Sequence, residues 1–203
     1  MGSGALFSIY IGEKSTEKLK SAIGQAFTLI AAVTAVINVL LYAFIDPILS
    51  FLQIPETLYA DMREYLIIIF AGIAATFLYN FFACLLRAAG NSASPLIFLA
   101  VSALLNIALD LWFVLGLNFG IAGAAAATVI SQYVSGIGLL LFTVFREKKL
   151  LPERKHFKPN RKILGELFDL SFLTCAQQSA MNFGILLRQN RTELLSPDTG
   201  SFR

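Results

Sequence analysis

The sequence predicts an all-α transmembrane protein, a helical bundle, on three observations. Of 203 residues, 57% are hydrophobic and 14% charged, with a mean hydropathy of +0.71; soluble domains carry about 25% charged residues. The apolar residues fall in runs of roughly 20, the length of a helix that crosses a hydrocarbon core of about 30 Å. Those runs lack the short apolar–polar alternation of a membrane barrel. In lipid, backbone polar groups must be satisfied within the chain, which leaves the helix.

Each element follows from where those runs start and stop. Residues 1–12 form an apolar stub, too short to cross at about 1.5 Å per residue. The polar loop 13–20 leads to a first full span at 22–45. Asp46-Pro47 reads as a helix cap followed by proline at the first helical position. It opens a short interfacial helix ahead of 55–65. A second span covers 65–86. Residues 87–94 form a turn, and Ser94-Pro95 is expected to cap a third span at 95–117. Asn118–Gly120 is a tight turn into a fourth span at 121–145. A long basic loop, 146–164, precedes a more polar fifth span at 165–187.

Orientation follows from the positive-inside rule. Loops 13–20, 87–94 and 146–164 hold twelve Lys and Arg, while the loops that alternate with them hold one, Arg63. The basic loops are therefore expected in the cytoplasm, and the multi-pass chain in the plasma (inner) membrane. Because the positive charge sits in loops between spans, nucleic acid is not an expected partner; the lipid bilayer is. Cys84 and Cys175 both fall within spans and read as reduced packing residues, and His156 reads as a solvated loop residue. No Ser–His–Asp set, metal-protease motif, phosphate loop or pair of carboxylates lies within a span, so an enzyme is not expected.

One residue stands out. Asp110 is the only acidic residue placed well inside a span, and a charge there is costly enough to mark a functional site. Residues four apart share a helix face, so Ser102, Asn106 and Asp110 form one polar stripe. Ser102 reads as interhelical packing glue; Asn106 with Asp110 reads as a site. Thr128 lies nine residues beyond Phe119 and Asp110 nine before it. Two straight antiparallel helices would set both roughly 10–15 Å from the turn. On the fourth span Gly123, Ala127, Ser131 and Ser135 recur every four residues, the spacing of a close-packed seam, with Thr128 and Gln132 beside it. On the second span Tyr65, Gly72, Thr76 and Asn80 lie near one face. Tyr65 serves equally well as an interfacial anchor. One acid among Asn, Thr and Tyr has the character of a cation or proton site. Burial favours the protonated form of such an acid, so a cation and a proton compete for it.

These residues carry a family likeness. R-x-x-G-N-[ST]-x-x-P from Arg87, L-N-I-x-L-D ending at Asp110 and G-x-x-G-A-A-x-A-T-x-I-S-Q ending at Gln132 together resemble the MATE family of multidrug and toxic-compound extrusion transporters. The resemblance extends over roughly residues 2–187. It implies two six-helix bundles around a central cavity, of which this chain holds about spans two to seven of twelve, a partial N-terminal lobe. Residues 1–145 are then an incomplete N-terminal bundle, 146–164 the cytoplasmic inter-bundle loop and 165–187 the start of the second bundle, with 188–203 a non-matching tail. It implies cation-coupled export of organic cations and drugs, with no cofactor and with sodium or a proton as coupling ion. Asp110, Asn106, Thr128, Tyr65 and Asn80 would belong to the cation site, sodium lying at Asp110 and Asn106. Both ends of the sequence read as incomplete, as in a fragment or the product of a disrupted frame. Two alternatives stay open: an inert fragment or assembly partner completed by a complementary chain, and a lipid-linked oligosaccharide flippase. The flippase would need basic residues in its cavity, and the spans hold almost none.

Overall fold

The computed structural model describes residues 2–157 and 160–195. Eight α-helices follow in order: α1 (Gly2–Gly12), α2 (Thr16–Ala43), α3 (Ile45–Phe51), α4 (Glu56–Ala71), α5 (Ile73–Ala88), α6 (Ala93–Asp110), α7 (Gly120–Arg146) and α8 (Arg161–Leu195). A π-helical segment, Leu111–Gly116, continues α6. Four helical stretches among the described residues are long and apolar enough to cross a membrane: Thr16–Ala43, Glu56–Ala88, Ala93–Gly116 and Gly120–Arg146. The expected fifth span forms a helix, but α8 is not among these four; Gln177, Gln178 and Asn182 interrupt its apolar run. It also runs past 187 to Leu195, through the first half of the expected tail. Residues 196–203 lie outside the described residues.

Several element starts differ from the sequence expectation. The α3 helix begins one residue before Asp46, whose carboxylate caps nothing. It accepts instead from Arg63 Nε–H at 3.0 Å and from the Tyr59 hydroxyl at 3.1 Å, tying α3 to α4. Ser94 does not cap α6. The N-cap position is Ser92, whose side chain makes no cap bond; the Oδ1 of Asn91, one residue earlier, accepts the Ser94 N–H at 3.1 Å. Pro95 then sits in the first turn, where a missing N–H is tolerated.

The second span is longer than expected and broken at Gly72. A side chain there would meet Gln132 Oε1 at 2.6 Å and Val129 Cγ2 at 3.0 Å, so glycine lets the junction lie against α7. Helix breaks in lipid need their freed carbonyls satisfied from outside. Here Asn38 Nδ2 donates to the Phe70 carbonyl at 2.6 Å, and the Tyr133 hydroxyl donates to Ala71 at 2.9 Å. The Tyr42 hydroxyl reaches the Ile67 carbonyl at 2.9 Å.

The hub is α7, which packs against α4, α5 and α6. Its stripe Gly123, Ala127, Ser131 and Ser135 is buried, as the spacing predicts. Between apolar helices in lipid, close packing and interhelical hydrogen bonds replace the hydrophobic effect as the cohesive force. The seam supplies both. A side chain at Gly136 would stand 2.8 Å from the Ala75 carbonyl, and the Ser102 hydroxyl donates to the Ser131 carbonyl at 2.7 Å. A core at the basic-loop end joins Phe7, Leu19, Phe81 and Leu139 with Ile163 and Leu167 of α8. A smaller one at the other end joins Ile45, Leu49 and Phe70.

The basic loop is docked rather than solvated. His156, expected in water, is 3% exposed. Its Nδ1 accepts the Glu153 N–H at 3.0 Å, which leaves Nε2, 3.0 Å from Glu17 Oε2, to carry the proton. Lys20 pairs with Glu153 at 3.3 Å, and Gln25 Oε1 accepts the Asn160 N–H at 3.1 Å. Both cysteines are free; Cys84 is half-buried against α1, whereas Cys175 is exposed on α8 rather than packed.

Candidate functional site

The stripe on α6 faces α7 in a definite register. Ser102 meets Ser131, and one turn further along α6 Asn106 Nδ2 donates to Thr128 Oγ1 at 3.4 Å. Thr128 in turn donates to the Ala124 carbonyl at 3.0 Å. The amide of Asn106 thus spends a donor on α7 and keeps its Oδ1 as an acceptor. Asp110 follows another turn along, so it lies beyond Thr128, toward the turn 117–119. The equal depth expected for these two residues is therefore off by about one helical turn.

The cause is the π-helical segment that starts where α6 ends. Leu117 N–H bonds to the Trp112 carbonyl five residues back, at 3.0 Å, and Phe119 N–H to Phe113, six back, at 3.0 Å. Wider turns pack more residues into a given length than an α-helix does, so nine residues from Phe119 carry Asp110 a shorter distance than assumed. Gly123 admits this bulge. A side chain at that position would meet Phe119 Cβ at 2.9 Å and Phe113 Cβ at 3.1 Å. Such π-bulges recur at functional sites. No sequence pattern announced this one.

Asp110 holds an unusual position. Its Oδ1 is sealed from solvent and meets no hydrogen-bond donor among the described residues. An orphaned buried acceptor costs on the order of 1–3 kcal/mol. A proton or a cation on the carboxylate would relieve that cost. Among the described residues no group of three or more His, Cys, Asp or Glu is arranged to hold a metal ion. Any cation here would be held by the single carboxylate with neutral oxygens.

The remaining candidates lie elsewhere. Tyr65 is half-buried on α4, and no hydrogen bond among the described residues joins it to Asn106, Asp110 or Thr128. Asn80 is exposed on α5 and donates to the Thr76 carbonyl at 2.8 Å. It lies eight residues from the α5 end at Ala88, about 12 Å. Asp110 lies seventeen residues from the α6 start at Ala93, about 25 Å. The two are therefore at different depths.

Asn80 lines a different feature. A cavity of about 320 Å³ is walled by Ser3, Thr34, Thr76, Phe77 and Asn80 among others. A second, about 580 Å³, shares Thr34 and Phe77 with it and adds Asn38 and Tyr133. Together they make one largely apolar groove along α2, α5 and α7 with a few hydroxyls and amides. Between groove and α7 sits Gln132, whose Oε1 accepts the Thr76 hydroxyl at 3.2 Å. Gln132 was noted from sequence beside the α7 seam, whereas Asn38 and Tyr133 were not singled out; the available signal was a glycine in mid-span with polar residues on the two neighbouring spans.

Comparison with known proteins places these features. A family model described as MatE matches residues 1–112. The probable multidrug resistance protein YoeA of Bacillus subtilis is 31% identical over 176 residues, covering 83% of this chain and 38% of the relative. The probable multidrug resistance protein NorM of Thermotoga maritima is 26% identical over 195 residues, covering 94% and 42%. Among solved structures, a MATE protein in the bent conformation superposes with a TM-score of 0.81 at 21% identity, over 91% of this chain and 42% of that one. The Vibrio cholerae MATE transporter VcmN in the bent form gives 0.71 at 24%, over 93% and 44%. The chain spans about two fifths of the length of these relatives.

Proposed function

This chain belongs to the MatE family, and from that premise we propose that it contributes the coupling-ion site and a substrate groove to a cation-coupled exporter of organic cations. The observation that carries the proposal is the orphaned carboxylate oxygen of Asp110, one turn from the Asn106–Thr128 hydrogen bond. One buried acid that a proton and a sodium ion can both neutralise lets inward flow of either displace the other. That exchange is the chemistry of an antiporter. Asp110 is the binding carboxylate, Asn106 Oδ1 the neutral oxygen beside it, and Thr128 the positioning partner that holds the amide. Tyr65 and Asn80 act at a distance from this cluster, Asn80 in the groove.

The groove supports the substrate half of the reading. Apolar walls with a few fixed polar groups suit a flat amphipathic molecule, and Phe77 offers a ring face to a cation. In this reading residues 1–145 belong to one bundle, the basic loops 13–20, 87–94 and 146–164 face the cytoplasm, and α8 from 165 begins a second bundle.

The test is export of a fluorescent organic cation from cells expressing the native polypeptide. Asp110→Asn keeps the shape and removes the exchangeable charge; export is expected to fall to background at unchanged membrane expression. Full export in that variant overturns the assignment. A second reading for the polypeptide taken alone is an assembly partner without transport of its own. Proteoliposomes holding only this chain distinguish the two, because sodium- or proton-driven uptake excludes the second.

A further inference from the structure

Among the described residues, α8 packs against α1 and α2, and the contact lies along its first turns. Ile163 and Leu167 are buried in the core at the basic-loop end, beside Leu6, Tyr10 and Leu19. Further along α8, Phe172, Leu173, Met181, Phe183, Ile185 and Leu187 are exposed. The contact with α1 has two fixed points. At one, Gly2 lies so close to Ser171 that a side chain on it would strike the Ser171 backbone. At the other, the Tyr10 hydroxyl donates to Glu166 Oε2.

That second point is unlike the rest of the seam. Tyr10 is 4% exposed, so its ring is held in the core while its hydroxyl crosses to a carboxylate on another helix. It is the only side-chain hydrogen bond between α1 and α8 among the described residues. A cavity of about 460 Å³ opens directly against it, lined also by Glu13, Lys18, Lys162 and Asp169. Lys18 is drawn to Glu13 at 3.3 Å and stands 5.8 Å from the centre of the Tyr10 ring, so it is not the partner of Glu166. The cavity leaves room for water to replace either partner.

We propose that Tyr10–Glu166 is a clasp that closes the basic-loop end of the α1–α8 seam. Made, it holds the two helices together from Tyr10 to Gly2; broken, it lets water from that side reach Ser171. The inference rests on the reading that α1 and α8 belong to two different bundles. It adds to that reading which residues hold them shut.

The experiment reads access, not transport. In the full chain with Cys84 and Cys175 replaced by Ala, Ser171→Cys is labelled with a membrane-impermeant maleimide added from the basic-loop side. Tyr10→Phe or Glu166→Leu is expected to raise the labelling rate about tenfold, the scale of one lost hydrogen bond to a charged group. Glu166→Gln keeps an acceptor for the hydroxyl and is expected to stay within about threefold of the parent. Equal labelling in Tyr10→Phe and parent overturns the clasp. So does a parallel rise at a Ser131→Cys reporter in the α6–α7 seam, since that marks general unfolding. Failure of the exporter reading would instead appear as absent efflux with the labelling contrast intact.

Discussion

At the scale of single residues, the α6 stripe separates two roles that its spacing alone leaves merged. Ser102 donates to a backbone carbonyl of α7; Asp110 is half-buried, with one carboxylate oxygen sealed and orphaned. Interhelical hydrogen bonds in membranes average about 0.6 kcal/mol. Ser102→Ala is therefore expected to lower stability in detergent unfolding by about 1 kcal/mol or less and to leave export intact. Asn106→Leu is expected to cost a similar stability and to abolish export. Equal loss of export in both would mean that the whole stripe is packing. A second residue with a clear electrostatic setting is Asp46. The Arg63 hydrogen bond, and after it the Tyr59 hydroxyl, hold its carboxyl below the usual range. Its folded value is depressed, so the tie is fully present above the unfolded value of about 3.9 and is lost as pH falls through the lower folded value. The protection factors of the α3 amides, corrected for the intrinsic pH dependence of exchange, should thus be unchanged between pH 7 and pH 5 and should fall only well below pH 4. Loss of protection already at pH 5.5 would show that the carboxylate is not held by Arg63. The stripe itself was legible in the sequence because helical periodicity is rigid. The one-turn shift of Thr128 was not, because hydrogen bonding along the segment after Asp110, rather than composition, decides between α and π closure. His156 was misjudged for a related reason: a polar loop reads as solvated until the acceptors on the helix beneath it, here Glu17, are placed in space.

At the scale of elements, glycine positions fix which helices approach and how closely. The four-residue repeat on α7 made the seam legible in advance, whereas the break at Gly72 depended on partners 34 residues upstream, from Asn38, and 61 downstream, at Tyr133. The two glycines facing α7 and within it predict different outcomes. At Gly136 a methyl group would strike the Ala75 backbone carbonyl at 2.8 Å. Backbone cannot step aside, so Gly136→Ala should force α5 and α7 apart and cost about 1–3 kcal/mol, the usual scale of overpacking. At Gly72 the obstacle is the end of the Gln132 side chain, with Val129 behind it. Gly72→Ala should therefore swing Gln132 away and break its bond with Thr76 at a smaller cost, altering the groove more than the fold. Thermal unfolding in detergent orders the two variants; a larger loss for Gly72→Ala would place the tight approach at the break instead of the seam.

At the scale of the whole molecule, the fold class and the succession of four spans follow from composition and run length, because the bilayer admits so few solutions for the backbone. Long-range docking does not follow from them. The basic loop carries eight Lys and Arg over 146–164, a composition that reads as an open, solvated tether. Yet it is fastened to the start of α2 by His156 to Glu17, Lys20 to Glu153 and Asn160 to Gln25. The Lys20–Glu153 pair is partly exposed and contributes little; the buried imidazole, bonded at both nitrogens, is the stronger fastening. Fastening the loop here couples the position of α8, which follows it, to α2, the first full span of the bundle. His156→Ala is therefore expected to increase trypsin cleavage within 146–164 about tenfold in membrane vesicles, since opening of the loop limits cleavage and one hydrogen bond to a charged acceptor sets that scale. His156→Asn, whose Oδ1 can still accept the Glu153 N–H, should fall between the two. The same cleavage rate in all three proteins would show that His156 does not restrain the loop, and α8 would then be steered by its own seam with α1 rather than by the loop that delivers it.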